Sequence, residues 1–216
     1  MTHMLRIDAS SRPGPDAATS EASFSRGLAD QVQRHLERTL GQVTLTERDL
    51  VEAPIPHIDN QTIAGFYTPA DQMTTELQSA TALSDALIDE VEQADILLIS
   101  CPIYNFGVPS AMKAWIDHVV RIGRTFAYEN GEFRGLLENK RAIVAYSYGA
   151  PGYSDDGPLS SYDFMRPYLT MILNFIGISD VQGFVLEGTT GDPQDVAAAQ
   201  AGAKKQIEEY FAGGAS

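Results

Sequence analysis

The sequence predicts an α/β domain on a doubly wound parallel sheet, and two apolar runs and one rhythm carry that expectation. Ile96-Leu97-Leu98-Ile99 and Ala142-Ile143-Val144-Ala145-Tyr146 are short, unbroken apolar stretches, as expected of strands covered on both faces. Around them, segments with apolar residues at helical spacing alternate with strands along the chain. Ligands of such sheets bind in the bends that follow the carboxyl ends of strands, so those bends are where function is sought.

The first strand is marked by Leu5, Ile7 and Ala9 alternating with Arg6 and Asp8. One polar face is therefore expected, in mild conflict with a central position in the sheet. Ser10-Ser11-Arg12-Pro13-Gly14-Pro15 follows, then a polar small-residue stretch to Ala22, then Ser23-Phe24-Ser25. The first helix carries a stripe of Leu28, Val32, Leu36 and Leu40 and stops at Gly41. Hydroxyls and amides at a helix N-terminus make an anion site without lysine, and Ser10, Ser23 and Ser25 are its candidates. Plain helix capping by Ser20 or Ser23 accounts for the same loop equally well. Arg12 reads as an exposed arginine within reach of a phosphate. Neither G-x-G-x-x-G nor G-x-x-x-x-G-K-[ST] is present here.

Val43 to Asp49 reads as an edge strand, and Leu50 to Thr68 as a loop around Pro54-Ile55-Pro56. Thr68-Pro69 opens a helical region with Leu77, Leu83, Leu87 and Val91 along it, ending near Asp95. Glu76, Asp85, Asp89, Glu90 and Glu92 are expected to form its solvated face.

The central stretch begins with the strand from Ile96. Pro102 ends it, Gly107 permits a bend, and Pro109 or Ser110 opens a helix that buries Met112, Ile116 and Val119. The bend holds Ile103-Tyr104-Asn105-Phe106. Two large rings in a solvated loop are costly, and a flat aromatic ligand edged by backbone polar groups and Asn105 would account for them. An isoalloxazine ring fits that description.

The helix bearing Trp115 and His118 ends around Arg121 to Gly123. A hairpin follows, with Thr125-Phe126-Ala127-Tyr128, a turn at Asn130-Gly131, then Phe133 and Leu136-Leu137. Its aromatics suit a satellite core or a partner subunit. The strand from Ala142 empties into Ser147-Tyr148-Gly149-Ala150-Pro151-Gly152, where glycine lets backbone approach a planar ligand. A helix from Met165 to Ile176, a strand from Val181 to Leu186, and a last helix capped at Asp192-Pro193 complete the chain.

Composition narrows the classes. The chain has 216 residues, enough for one α/β domain over residues 1–216, and no internal repeat or linker. A formal charge of −14 argues against nucleic acid or an acidic membrane as partner, since phosphate affinity rests on clustered cations. Cys101 is the single cysteine, and the four histidines have no ligand spacing, so no metal is expected. With no signal-peptide core and no apolar run long enough to span a bilayer, a cytoplasmic location is expected.

Taken together, L-R-I-D-A-S-S-R, A-S-F-S-R, P-I-Y-N-F with M-K-A-W-I-D, R-I-G-R-T-F-A-Y, S-Y-G-A and P-Y-L-T-M-I-L-N-F-I-G-I span nearly the whole chain. In that order the sequence resembles the FMN-dependent NADH:quinone oxidoreductase and azoreductase family, the AzoR-type azoreductases of bacteria. The resemblance implies a flavodoxin-like five-stranded sheet of order 2-1-3-4-5, with the hairpin inserted after the third strand and its helix. It implies FMN with its phosphate near Ser10, Ser23, Phe24 and Ser25. Ile103, Tyr104, Asn105 and Phe106 would lie against the ring, and Ser147, Tyr148, Gly149 and Ala150 along its pyrimidine edge. It also implies a homodimer with sites at the subunit interface, Tyr128 reaching toward the partner's flavin. The expected activity is ping-pong transfer of two electrons from NADH or NADPH through FMN to quinones and, more slowly, azo compounds. Two departures bear on substrate range: relatives often have glycine at the place of Ala150, and a basic residue can stand at that of Tyr148.

Other classes are tested by single positions. A phosphatase of this topology needs C-x-x-x-x-x-R, and Gly107 stands where the arginine would follow Cys101. G-x-S-x-G after a strand is absent, and Ser100 and Cys101 occupy the place of a receiver's aspartate. A non-enzymatic flavodoxin-like electron carrier, which the acidic balance suits, is the rival that remains.

Overall fold

A computed structural model describes residues 1–14, 22–154 and 156–213. Residues 15–21, with the capping alternative at Ser20, lie outside the described residues. The main sheet is formed by β1 (Thr2–Asp8), β2 (Val43–Asp49), β3 (Ile96–Pro102), β6 (Arg141–Ser147) and β7 (Asp180–Leu186). All its pairings are parallel, in the order β2-β1-β3-β6-β7. Counting only sheet strands, this is the expected 2-1-3-4-5. The hairpin β4 (Phe126–Glu129) and β5 (Glu132–Gly135) forms a separate antiparallel pair.

Two helices cover one face. Leu28, Val32 and Leu36 of α1 (Phe24–Leu40) and Ala203 and Ile207 of α6 (Pro193–Ala212) meet Met4, Leu98, Ile143 and Phe184 of the sheet. Three helices cover the other. Leu87 and Val91 of α3 (Thr75–Gln93), Met112, Trp115 and Val119 of α4 (Ser110–Val119), and Leu169 and Leu173 of α5 (Arg166–Phe175) pack on Leu5, Ile7, Leu97, Ile99 and Val144. Full burial of such side chains contributes about 1.5–3 kcal/mol each, which explains why strands apolar on both sides occupy the centre.

The polar face expected for β1 is not solvated. Arg6 and Asp8 are buried and face α1, where Arg6 pairs with Asp8 at 3.0 Å and Asp30 at 2.6 Å, and Arg26 pairs with Asp8 at 3.6 Å and with Asp49. Ser100 Oγ donates to Asp8 Oδ1 at 2.5 Å. An ion network therefore takes the place of apolar packing, and alternation in β1 does not signal exposure.

Other expectations are corrected in the segment before β3. The stretch from Leu50 to Thr68 contains a helix, α2 (Asn60–Tyr67), capped by Asp59, whose carboxylate accepts from Thr62 N at 2.8 Å. It lacks an apolar stripe because Thr62 and Gly65 make its contact; a β-carbon at Gly65 would stand 2.5 Å from Thr81 Cγ2. Thr68 ends α2, and α3 begins only after Thr74. Leu83 is exposed, and α3 buries Thr81, Ser84, Leu87, Ile88 and Val91 instead. Its acidic face is partly paired: Arg124 reaches Asp85, Asp89 and Glu92, and Arg48 holds Glu90.

Candidate functional site

The loops after β1, β3, β6 and β7 meet at the carboxyl rim of the sheet, where they enclose a cleft of about 180 Å³. Direct bonds join them. Ile103 N donates to Ser147 O at 2.9 Å, which ties the β3 loop to the end of β6. Tyr104 Oη lies 2.7 Å from Ser11 Oγ and accepts from Ser11 N at 3.2 Å, which ties the same loop to the one after β1.

One end of the cleft is built from hydroxyls and a helix terminus. Ser23 caps α1, its Oγ accepting from Arg26 N at 3.3 Å and standing 3.2 Å from Ser25 Oγ. Ser10 Oγ accepts from Arg12 N at 3.2 Å, and Ser10 O accepts from Arg26 Nη2 at 2.9 Å. The Arg26 guanidinium thus braces the loop from below. Burial lowers its pKa, but Asp49 and Asp8 outweigh that and hold it above its ordinary value. Because those carboxylates neutralise it, the groups left to face an anion are the hydroxyls and the first-turn amides of α1.

The other end is the bend after β3. Tyr104 and Gly107 exchange backbone bonds at 3.0 and 3.1 Å, and the residues between them, Asn105 and Phe106, have φ of 48° and 72°. Two positive φ angles inside a closed four-residue turn are the type I′ pattern. The bend expected at Gly107 is therefore taken by Asn105 and Phe106. A phenylalanine in this region is strained by about 1–3 kcal/mol, a cost that concentrates at functional sites.

Of the residues singled out in the sequence, the cleft brings together Ser10, Ser23, Phe24, Ile103, Tyr104, Ser147 and Gly149. Ser25 lies beneath Ser23 with no exposed surface. Asn105 faces a neighbouring groove of about 610 Å³ shared with Tyr104, His57, Lys113, Phe164 and Tyr168. Phe106 stands half exposed against Tyr162, ring centroids 5.6 Å apart. Ala150 is exposed and outside the cleft.

Tyr148 requires a correction. Its side chain turns into the core, 1 % exposed, where Oη donates to Asp163 Oδ2 at 2.8 Å and the ring stacks on Tyr153. Burial first, then the bond to Asp163, raises its pKa, so the phenol stays protonated. Its backbone is spent as well, N donating to Leu186 O and O accepting from Thr189 N. Tyr128 projects from the hairpin, packed on Phe133 at 4.8 Å and away from this chain's cleft.

Sequence reasoning missed Thr189 and Thr190, which line the cleft from the loop after β7. Thr189 Oγ1 donates to Tyr148 O at 3.1 Å and Thr190 Oγ1 to Gly149 O at 2.9 Å. Glu187-Gly188-Thr189-Thr190-Gly191 follows a strand, and the strand-end rule applied to β7 would have found it. Arg12 is exposed as expected, yet it also borders the cleft. Complete burial pushes the Cys101 thiol far up, which removes it as a nucleophile at neutral pH.

The donor set suits a phosphorylated, flat ligand. Hydroxyls and a helix N-terminus line it from the β1 side and Ile103 and Tyr104 from the β3 loop, and Gly149 lines it where a β-carbon would already stand 3.3 Å from Thr190 Cγ2. A family model described as flavodoxin-like fold matches residues 2–211. An FMN-dependent NADH:quinone oxidoreductase of Xanthobacter autotrophicus is 50% identical over 182 residues, 84% of each chain. A second, from Jannaschia sp., is 44% identical over 212 residues, 98% of this chain and 100% of the relative. The chain belongs to the FMN-dependent NADH:quinone oxidoreductase family. The fold is also similar to that of a solved azoreductase from Bacillus anthracis, TM-score 0.85 at 22% identity over 97% of this chain and 98% of that one. Another from that species, solved in complex with FMN, gives a TM-score of 0.80 at 23% identity, over 97% and 99%.

Proposed function

We propose that the rim cleft holds FMN and that the protein passes two electrons from NADH, or NADPH, to quinones and, more slowly, azo compounds by a ping-pong sequence. The coarse part rests on the family: it is an FMN-dependent oxidoreductase. Bound there, FMN supplies the redox chemistry, accepting hydride and returning two electrons.

The chain's residues bind and orient. Ser10, Ser23 and the Phe24 and Ser25 amides hold the phosphate at the start of α1. Ile103 through Phe106 form one wall of the ring site. Ser147, Gly149 and Ala150 run along the pyrimidine edge through their main chain, with Thr189 and Thr190 fixing the carbonyls of Tyr148 and Gly149 behind it. Reduced nicotinamide and acceptor use the same open side in turn, which is the basis of the ping-pong order. The observation that carries this reading is the convergence of the loops after β1 and β6 on Tyr104 and Ile103 of the β3 loop.

Homodimer formation is part of the proposal. Tyr128, Phe133, Phe164 and Met171 are each more than half exposed, Tyr128 packed on Phe133, and a second copy covering such apolar surface would bring Tyr128 to the partner's acceptor as a proton source. Residues 1–216 act as one FMN-binding unit in the cytoplasm, with neither nucleic acid nor membrane as a partner.

The test is direct. The purified protein should be yellow, bleach anaerobically with NADH, and oxidise NADH continuously when a quinone is supplied. A yellow protein with no quinone-driven turnover would be the electron carrier instead, and a protein that takes up no FMN would refute the site.

A further inference from the structure

Asp163 lies near the far end of the connection from β6 to α5 and does not itself line the cleft, yet its carboxylate is buried and fully engaged. Oδ2 accepts from Tyr148 Oη at 2.8 Å, and Oδ1 accepts from Met165 N and Arg166 N, each at 3.0 Å, at the start of α5. Arg166 Nε stands 3.6 Å from Oδ2. The next residue completes a chain of contacts: Phe164 N donates to Phe106 O at 3.0 Å, and Tyr162 on the other side packs its ring on Phe106. Residues 162–164 are thus anchored in the core through Asp163 and press on the strained Asn105–Phe106 turn from outside. Tyr148 extends the anchor to the end of β6, one residue from Gly149.

We propose that Asp163, through its buried bond to Tyr148, is a positioning residue that holds two walls of the ring site in register, the Asn105–Phe106 turn and the Ser147–Gly149 strand end. The physical need is specific. A turn with two positive φ angles relaxes unless its surroundings over-determine it. The Phe164 N–H bond to Phe106 O is one such restraint, and it is only as rigid as the segment that carries it. A carboxylate that accepts three hydrogen bonds and pairs with the Arg166 guanidinium at 3.6 Å supplies that rigidity, and a phenol kept protonated by burial is a constant donor to it.

The inference rests on the cleft being the flavin site, and the experiment separates the two. FMN and riboflavin titrations of apoprotein, followed by flavin fluorescence, are made on wild type, Tyr148→Phe, Phe106→Ala and the double variant. Tyr148→Phe keeps the ring stacked on Tyr153 and removes only the tether. We expect it to weaken FMN and riboflavin by the same factor, five- to tenfold, because it acts on the ring and not on the phosphate. It should also flatten the visible circular dichroism of bound FMN, and add less than twofold to the loss already caused by Phe106→Ala. Affinities within twofold of wild type, or effects of the two substitutions that multiply, would overturn the tether while leaving the flavin site standing. Failure of the wild-type apoprotein to take up FMN would overturn both. If Tyr148→Phe yields no folded protein, Asp163→Ala, which removes the acceptor of the Tyr148 bond, is read by the same titrations and the same limits.

Discussion

The two ends of the cleft are finished to different degrees. At the phosphate end Ser10, Ser23 and Ser25 are each less than 5 % exposed, and hydroxyls, an arginine and a helix terminus satisfy one another. At the ring end Phe106, Tyr162 and Phe164 stand at 49 %, 50 % and 64 % exposure around a strained turn. Polar donors can be organised within one chain because each hydrogen bond is local and directional. Apolar rings are satisfied only by being covered, and this chain leaves them open. On the proposed reading, the phosphate end would be organised before any ligand arrives, whereas the ring end would depend on what is laid against it.

The largest expected effect breaks the finished end. Arg26→Ala takes the cation from partly buried Asp49, leaves Asp8 with Arg6 alone and removes the donor to Ser10 O, so it should cost up to about 3 kcal/mol in urea unfolding. FMN affinity should fall with it. At the open end Phe106→Ala should weaken FMN about tenfold, about 1.4 kcal/mol, with little loss of stability because the ring is half exposed. Phe106→Asn sharpens the contrast, since asparagine tolerates positive φ: it should raise stability by up to about 1 kcal/mol while FMN binding still weakens.

Ser23→Ala should cost about 1 kcal/mol as a lost helix cap, and should weaken FMN more than riboflavin, which lacks the phosphate. The smallest effect is a pH dependence. Burial raises the Asp49 pKa, but the bonds from Arg26 and from the Val51 and Glu52 amides outweigh it, leaving the folded value below the ordinary one. A depressed carboxylate stabilises fully above about pH 4 and loses that contribution as pH falls through its folded value. The melting temperature of wild type should thus exceed that of Asp49→Asn at pH 6, with the gap narrowing toward pH 3.

Much of this was legible in the chain. Doubly apolar runs mark β3 and β6, helical stripes mark α1, α4 and α5, and the asparagine–glycine turn marks the hairpin, because each depends on neighbours within a few residues. Ser10, Ser23, Ile103, Tyr104, Ser147 and Gly149 were legible by the same logic, being strand-end and helix-start residues. The helix at Asn60–Tyr67 was not, since a glycine packed on Thr81 leaves no periodic apolar signal. Thr189 and Thr190 could have been marked as strand-end residues after β7, but their bonds to the β6 loop, some 41 positions away in sequence, could not.

What the sequence by itself determined is the alternation of strands and helices, and with it the rim on which a ligand site had to lie. Only the tertiary structure decided which way the side chains on that rim turn. Arg6 and Asp8 go inward to an ion network, and Tyr148 goes inward to Asp163 instead of toward the cleft. Local periodicity records which residues prefer burial, but a polar group's direction is set by the partner that satisfies it, and such partners come from distant parts of the chain.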